Sequence, residues 1–186
     1  MSAVTLTRAT LDDLHAVKGK AELIGGKVVH LMPTGSHPNR IGGRIFRAID
    51  DYANLTGRGV AYTDNAGFAV PELSSGRESF SPDASYYLGP TLPDDMDFLF
   101  GPPAFAVEVR SKSDYGSSAE DGMAAKRADY FEAGTLVVWD VDPMAKLVRV
   151  YRQSSLAQPD IFGVGESADA EPVMPGWRLE IESIFV

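Results

Sequence analysis

Three charged side chains in this sequence stand where a charge is hard to place. Glu108 interrupts Ala104-Phe-Ala-Val-Glu-Val109, the most hydrophobic run of the chain. Asp83 follows Pro82 at the head of another strand-like run, and Lys126 lies on a helical stretch with Tyr130 one turn further on. A carboxylate in an apolar strand is costly unless it is paired or holds a metal. Taken singly, each residue has an ordinary reading: Asp83 as a turn residue, Glu108 as the partner of a buried Arg or Lys, Lys126 as a solvated helix residue. Taken together they suggest more, because an Asp and a Glu at the ends of adjacent strands can share one hard divalent ion. Mg²⁺ takes one or two carboxylates and completes its shell with waters and phosphate oxygens. Such an ion lowers the pKa of water and neutralises charge on a phosphate, while a nearby ammonium orients the water. That is the chemistry of phosphodiester hydrolysis, and it needs no protein nucleophile.

The elements that position these residues follow from periodicity. Residues 21–32 read as two short strands around Gly25-Gly26, a two-glycine hairpin turn. Residues 33–38 read as loop, with Ser36 as the expected helix cap. Ile41, Ile45, Ile49 and Tyr52 then form one face of a helix over 39–56, which Gly57 and Gly59 end. Strands are expected at 60–63, 67–70 and 83–88, with loops over 71–82 and 89–103. The run 104–109 reads as a central strand buried on both faces. A second helix is expected over 117–133, with Met123, Ala124, Ala128, Tyr130 and Phe131 inward and Gly134 as its stop. Strands at 135–141 and 147–151 share a turn at Asp142-Pro143, and the tail from Pro172 to Val186 ends apolar. The order β-β-α-β-β-β-β-α-β-β defines an α/β or α+β domain, a mixed sheet flanked by helices.

Composition sets the outer bounds. The 186 residues fit one domain, with no repeat, low-complexity tract or dividing linker. Hydrophobic residues at 44% and charged residues at 23% exclude disorder of the whole chain. No apolar window of about 18 residues exists to span a membrane. Residues 1–10 carry no secretory signal, so a cytoplasmic location is expected. Zero cysteines exclude a disulfide framework, a thiolate zinc site and a cysteine nucleophile. The 17 Lys+Arg against 26 Asp+Glu leave a net charge of −9, which argues against strong non-specific nucleic-acid binding.

Five ordered blocks carry a family resemblance. They are Glu22-Leu-Ile-Gly-Gly-Lys27, Ser81-Pro-Asp83, Phe105-Ala-Val-Glu108-Val-Arg-Ser111, Lys126-Arg-Ala-Asp-Tyr130-Phe-Glu-Ala-Gly134 and Val138-Trp-Asp-Val-Asp142-Pro143. With Pro175-Gly176-Trp177 and Ile184-Phe185 as a closing segment, the chain resembles, over nearly its whole length, the Uma family of putative restriction endonucleases. That family belongs to the PD-(D/E)XK nuclease superfamily. The resemblance implies a restriction-endonuclease-like fold, Mg²⁺ (with Mn²⁺ as a substitute) as cofactor, DNA as partner and a homodimer.

Carried over residue by residue, the resemblance makes Asp83 and Glu108 the metal ligands and Glu22 an acid beside the metal. The superfamily's lysine falls two residues after the strand acid, a position held here by Arg110. Lys126 is then the expected spatial substitute. Lys112 is its rival, although four residues of strand carry it about 13 Å from Glu108. His37 matches a histidine the family often places before the first helix, and a loop or capping role is its plain alternative. On this reading Lys126 lies within about 6 Å of a carboxylate oxygen of Asp83 or Glu108, and Lys112 faces solvent. Arg40, Arg44 and Arg47 form a basic stripe, read as a solvated face in preference to a phosphate contact. Trp139 reads as core, and the acidic loop Asp94-Asp95-Met96-Asp97 as solvated. The second functional reading is a non-catalytic binding or assembly module that keeps the fold. The apolar end, residues 181–186, is the expected surface for self-association.

Overall fold

The computed structural model describes residues 8–91 and 96–186. Asp94 and Asp95 of the acidic loop lie outside that range. A capped turn of helix, α1 (Leu11–His15), leads into the hairpin β1 (Ala21–Ile24) and β2 (Lys27–His30). Gly25 and Gly26 both take positive φ there, at 59° and 66°, as a tight two-residue turn demands. Next comes α2 (Ser36–Thr56), which ends on Gly57 in the left-handed region. Its cap is Gly35 and no side chain bonds the first turn, so Ser36 is the first helical residue and not the cap expected of it.

The following strands are β3 (Val60–Thr63), β4 (Phe68–Ala69), β5 (Ser79–Phe80), β6 (Ala84–Tyr87), β7 (Leu99–Phe100) and β8 (Phe105–Val109). After α3 (Ser117–Ala133) come β9 (Val137–Asp142), β10 (Leu147–Arg152), β11 (Ser155–Gly163), β12 (Ser167–Asp169), β13 (Arg178–Glu180) and α4 (Ile181–Phe185). Six of them form the main sheet in the order β11-β10-β9-β8-β6-β3. Only the β8–β9 pair within that sheet is parallel. Strand β8 is interior, as its apolar run demands.

Alternation along β8 divides the molecule. Phe105, Val107 and Val109 face the larger core, with Ile41, Ile45 and Ile49 of α2 and with Trp139. Ala106 faces a second core with Phe68, Phe80, Tyr87, Tyr130 and Phe131. Glu108 shares the face of Ala106 and therefore points toward α3. Trp139 is fully buried, with its indole N–H donating to the Asp169 carbonyl at 3.0 Å, so it is core as expected.

Three expectations are corrected. Tyr130 and Phe131 are buried as expected, but Ala124 and Ala128 are exposed, and the inner stripe of α3 also carries the charged Lys126 and Asp129. Arg44 donates to the Ile184 carbonyl at 3.0 Å, so the basic stripe is partly a helix-to-helix tether. Ile181 and Ile184 are fully buried, which removes most of the C-terminal segment as an uncovered association surface.

Candidate active site

The residues before β1 and before β6, the end of β8 and the middle of α3 line one cleft of about 1190 Å³. Asp83 precedes β6, and its backbone N–H donates to the Val107 carbonyl at 3.0 Å. Its carboxylate Oδ2 accepts the Val109 N–H at 2.7 Å, which locks the side chain across the end of β8. Glu108 projects into the same cleft. Its Oε1 accepts the Tyr130 hydroxyl at 2.6 Å and lies 2.8 Å from the Lys126 ammonium. Lys126 and Tyr130 stand four residues apart on α3, so one helical face delivers both groups to one oxygen.

Glu22, on β1, is buried and sits 3.3 Å from Lys126 through its Oε1. That oxygen also accepts the Ser81 N–H at 3.0 Å, while Oε2 is bonded by the Arg77 guanidinium. Arg77 in turn donates to Asp129 at 2.8 Å. Both oxygens of Glu22 are thus committed to cations and a backbone N–H.

The environment sorts these groups. Burial pushes the Glu108 carboxyl above its ordinary value, Lys126 opposes this, and Asp83 and Glu22 reinforce it. Burial also acts against charge on Glu22, but Lys126 and Arg77 outweigh it and hold that carboxyl low. Lys126 is held charged well above the ordinary lysine range, since Glu108 and Glu22 overcome its desolvation.

The other expected residues fall elsewhere. Arg110 is buried in a bidentate pair with Asp140, both bonds at 2.7 Å, and also bonds Glu120. It belongs to a neighbouring ion-pair network rather than to the carboxylates. Lys112 is exposed at the cleft rim. His37 is exposed in the first turn of α2 and is not part of the cleft wall. Two groups that sequence reasoning passes over do enter the cleft: Lys20, whose ammonium is 2.5 Å from Asp64 and 3.4 Å from Asp83, and Asp64 itself. Burial works against the Lys20 charge, yet Asp83, Asp64 and Glu108 together raise its pKa. Glu22 was the available signal for Arg77, since a buried acid requires a cation, but nothing local in the sequence identifies which one.

Restriction-endonuclease-like enzymes generally use a divalent metal, and the donor chemistry here fits one. Among the described residues, Asp83 Oδ1 has the Lys20 ammonium at 3.4 Å as its partner and Glu108 Oε2 receives no hydrogen bond. Two hard oxygens on adjoining strand ends are therefore left toward the cleft. Among the described residues no third Asp, Glu or His joins them in a ready-made ligand cluster, so waters and phosphate oxygens would complete the shell.

The mixed sheet flanked by helices is the architecture of a nuclease fold. Residues 10–182 match the Uma2 family, described as "putative restriction endonuclease", and the chain belongs to that family. Its fold is similar to the crystal structure of a "putative nuclease belonging to DUF820" from Anabaena variabilis, with a TM-score of 0.73. Identity to it is 19%, covering 95% of this chain and 97% of that one. No curated protein matches the chain.

Proposed function

We propose that this protein is a Mg²⁺-dependent endonuclease hydrolysing DNA phosphodiester bonds, with Mn²⁺ able to replace Mg²⁺. The observation that carries the reading is the Lys126 ammonium 2.8 Å from Glu108, in a cleft where Asp83 turns its Oδ1 toward the same space. Asp83 and Glu108 hold the ion, which when bound activates water and neutralises charge on the phosphate. Lys126 keeps its proton and aims its N–H groups at the water or the non-bridging phosphate oxygens. Tyr130 fixes Glu108 by donating to Oε1, which would leave the other carboxylate oxygen for an ion. Glu22 and Arg77 hold Lys126 in register and are positioning residues. Lys112, at the rim, contacts the nucleic-acid backbone, whereas Arg110 shapes the cleft floor through Asp140.

The protein acts in the cytoplasm as a homodimer, in which two-fold symmetry sets two sites against two strands. Sedimentation showing only a 20.0 kDa species at micromolar concentration would refute the dimer. The decisive test of activity is Mg²⁺-dependent cleavage of plasmid DNA by wild type beside Asp83→Ala and Glu108→Ala. Both substitutions are expected to abolish cleavage, a loss of at least about a thousandfold if the ion supplies several kcal/mol of transition-state stabilisation. A second reading, a nuclease-fold binding module without catalysis, draws support from the net charge of −9. Equal, metal-independent binding by wild type and both variants, with no cleavage, would favour it.

A further inference from the structure

Lys20 enters the cleft from the residue before β1 and meets the carboxylate that Lys126 does not touch. Gly19, at φ 95°, turns the chain just before it, and the Lys20 carbonyl accepts the Leu31 N–H at 2.9 Å, which anchors its backbone. Its ammonium is bonded to Asp64 Oδ1 at 2.5 Å but stands 3.4 Å from Asp83 Oδ1. Asp83 Oδ2 is already occupied by the Val109 N–H, so Oδ1 is the oxygen open to a cation and is also the one Lys20 faces. Lys126 differs in this respect, because it bonds Glu108 Oε1 and leaves Oε2 alone. Like charges a few ångströms apart in a partly dried cleft repel strongly, so an ammonium at Asp83 Oδ1 and a divalent ion there exclude each other.

We propose that Lys20 is a built-in counter-cation of the Asp83–Glu108 site, held partly off Asp83 by Asp64, and that this pair sets the site's affinity for a divalent ion. The inference rests on the metal-site reading of Asp83 and Glu108 given above. Asp64 is an anchor in it and not a ligand. Removing Lys20 frees Oδ1, whereas removing the Asp64 charge lets Lys20 close onto Asp83. The two substitutions therefore act in opposite directions.

Calorimetric titration of the full chain with Mn²⁺ tests this without reference to cleavage. Lys20→Met is expected to tighten Mn²⁺ binding by about tenfold, a typical coupling between two sites. Asp64→Asn is expected to weaken it several-fold in the wild-type background, and much less in the Lys20→Met background. Lys20→Gln and a melting curve for each variant separate loss of folding from loss of binding. Unchanged or weaker binding in folded Lys20→Met and Lys20→Gln overturns the proposal. So does an Asp64→Asn effect of the same size in both backgrounds, the mark of a true ligand. Asp83→Asn separates the two readings: if it leaves Mn²⁺ binding intact, the metal-site reading fails. If it abolishes binding while the Lys20 variants bind like wild type, only the counter-cation inference fails.

Discussion

Glu22 and Glu108 press on the same lysine, yet their carboxyls are driven in opposite directions. Glu108 is raised, chiefly by burial, so its protonated form is favoured in the folded state. Its charge therefore costs stability once pH rises through and above the ordinary glutamate value of 4.5. Glu22 is lowered, so its stabilisation is full above 4.5 and is lost as pH falls through its depressed value. In metal-free protein at pH 7, Glu108→Gln relieves that burial penalty but deprives the Lys126 ammonium of a partner at 2.8 Å, so its net effect on stability is expected to be smaller than that of Glu22→Gln. Glu22→Gln strips Arg77 and Lys126 of their shared partner, and is expected to cost about 3–5 kcal/mol at pH 7. That loss should fade on acidification. Urea denaturation from pH 3 to 8 measures both, and a stabilised Glu22→Gln would refute the assignment. The same residues mark what was legible. A carboxylate in an apolar strand declares itself, so Glu108 stands out from residue types alone, whereas Asp83 and Lys126 take their weight from the family resemblance. Arg77 meets Glu22 across 55 residues and Lys20 meets Asp64 across 44, and no local pattern encodes pairings of that span.

Among the elements, α2 and α3 are built on different principles. Helix α2 has an apolar stripe, and Ile41, Ile45 and Ile49 are fully buried as their spacing requires. Helix α3 buries Tyr130 and Phe131 but packs Lys126 and Asp129 beside them, since Glu108 and Arg77 need those charges, and periodicity therefore misplaced only Ala124 and Ala128. Strand β11 escaped notice for a related reason. Its Gln158-Pro159-Asp160 centre has no strand signature, yet an edge strand tolerates proline because one side needs no N–H donor. The two-residue strands β5 and β7 are too short to leave a period. Helix α2 also reaches the site directly. A Cβ at Gly42 would stand 3.6 Å from Asp83, ordinary contact for one methyl but no more. Gly43 faces open space. Gly43→Ala is thus expected to stabilise by about 0.5–1 kcal/mol with unchanged Mn²⁺ affinity. Gly42→Val should push on Asp83, lowering both the melting temperature and Mn²⁺ affinity. Equal behaviour of the two variants would show that α2 does not brace the site.

At the scale of the whole molecule, a net charge of −9 surrounds a cleft whose walls carry four lysines, Lys18, Lys20, Lys112 and Lys126. That net charge disfavours a polyanion at long range, so on the function proposed above the cleft does the attracting over a short range. Each phosphate neutralised contributes about −0.9 to the slope of log affinity against log salt. Arg110 and Arg127 also line the cleft but are tied to Asp140, so the four lysines set that slope near −3 to −4, and a dimer laying two clefts on one duplex about doubles it. That is an upper value, because Lys20 and Lys126 are already paired with carboxylates. Fluorescence anisotropy with a labelled duplex over 20–200 mM salt, in Ca²⁺ to hold the substrate uncleaved, reads the slope. Lys112→Ala and Lys18→Ala, both exposed at the rim, should each make it shallower by about one per cleft without altering Mn²⁺ affinity. A slope near zero, or one unmoved by either substitution, would place the nucleic acid outside this cleft and turn the protein toward the binding-module reading.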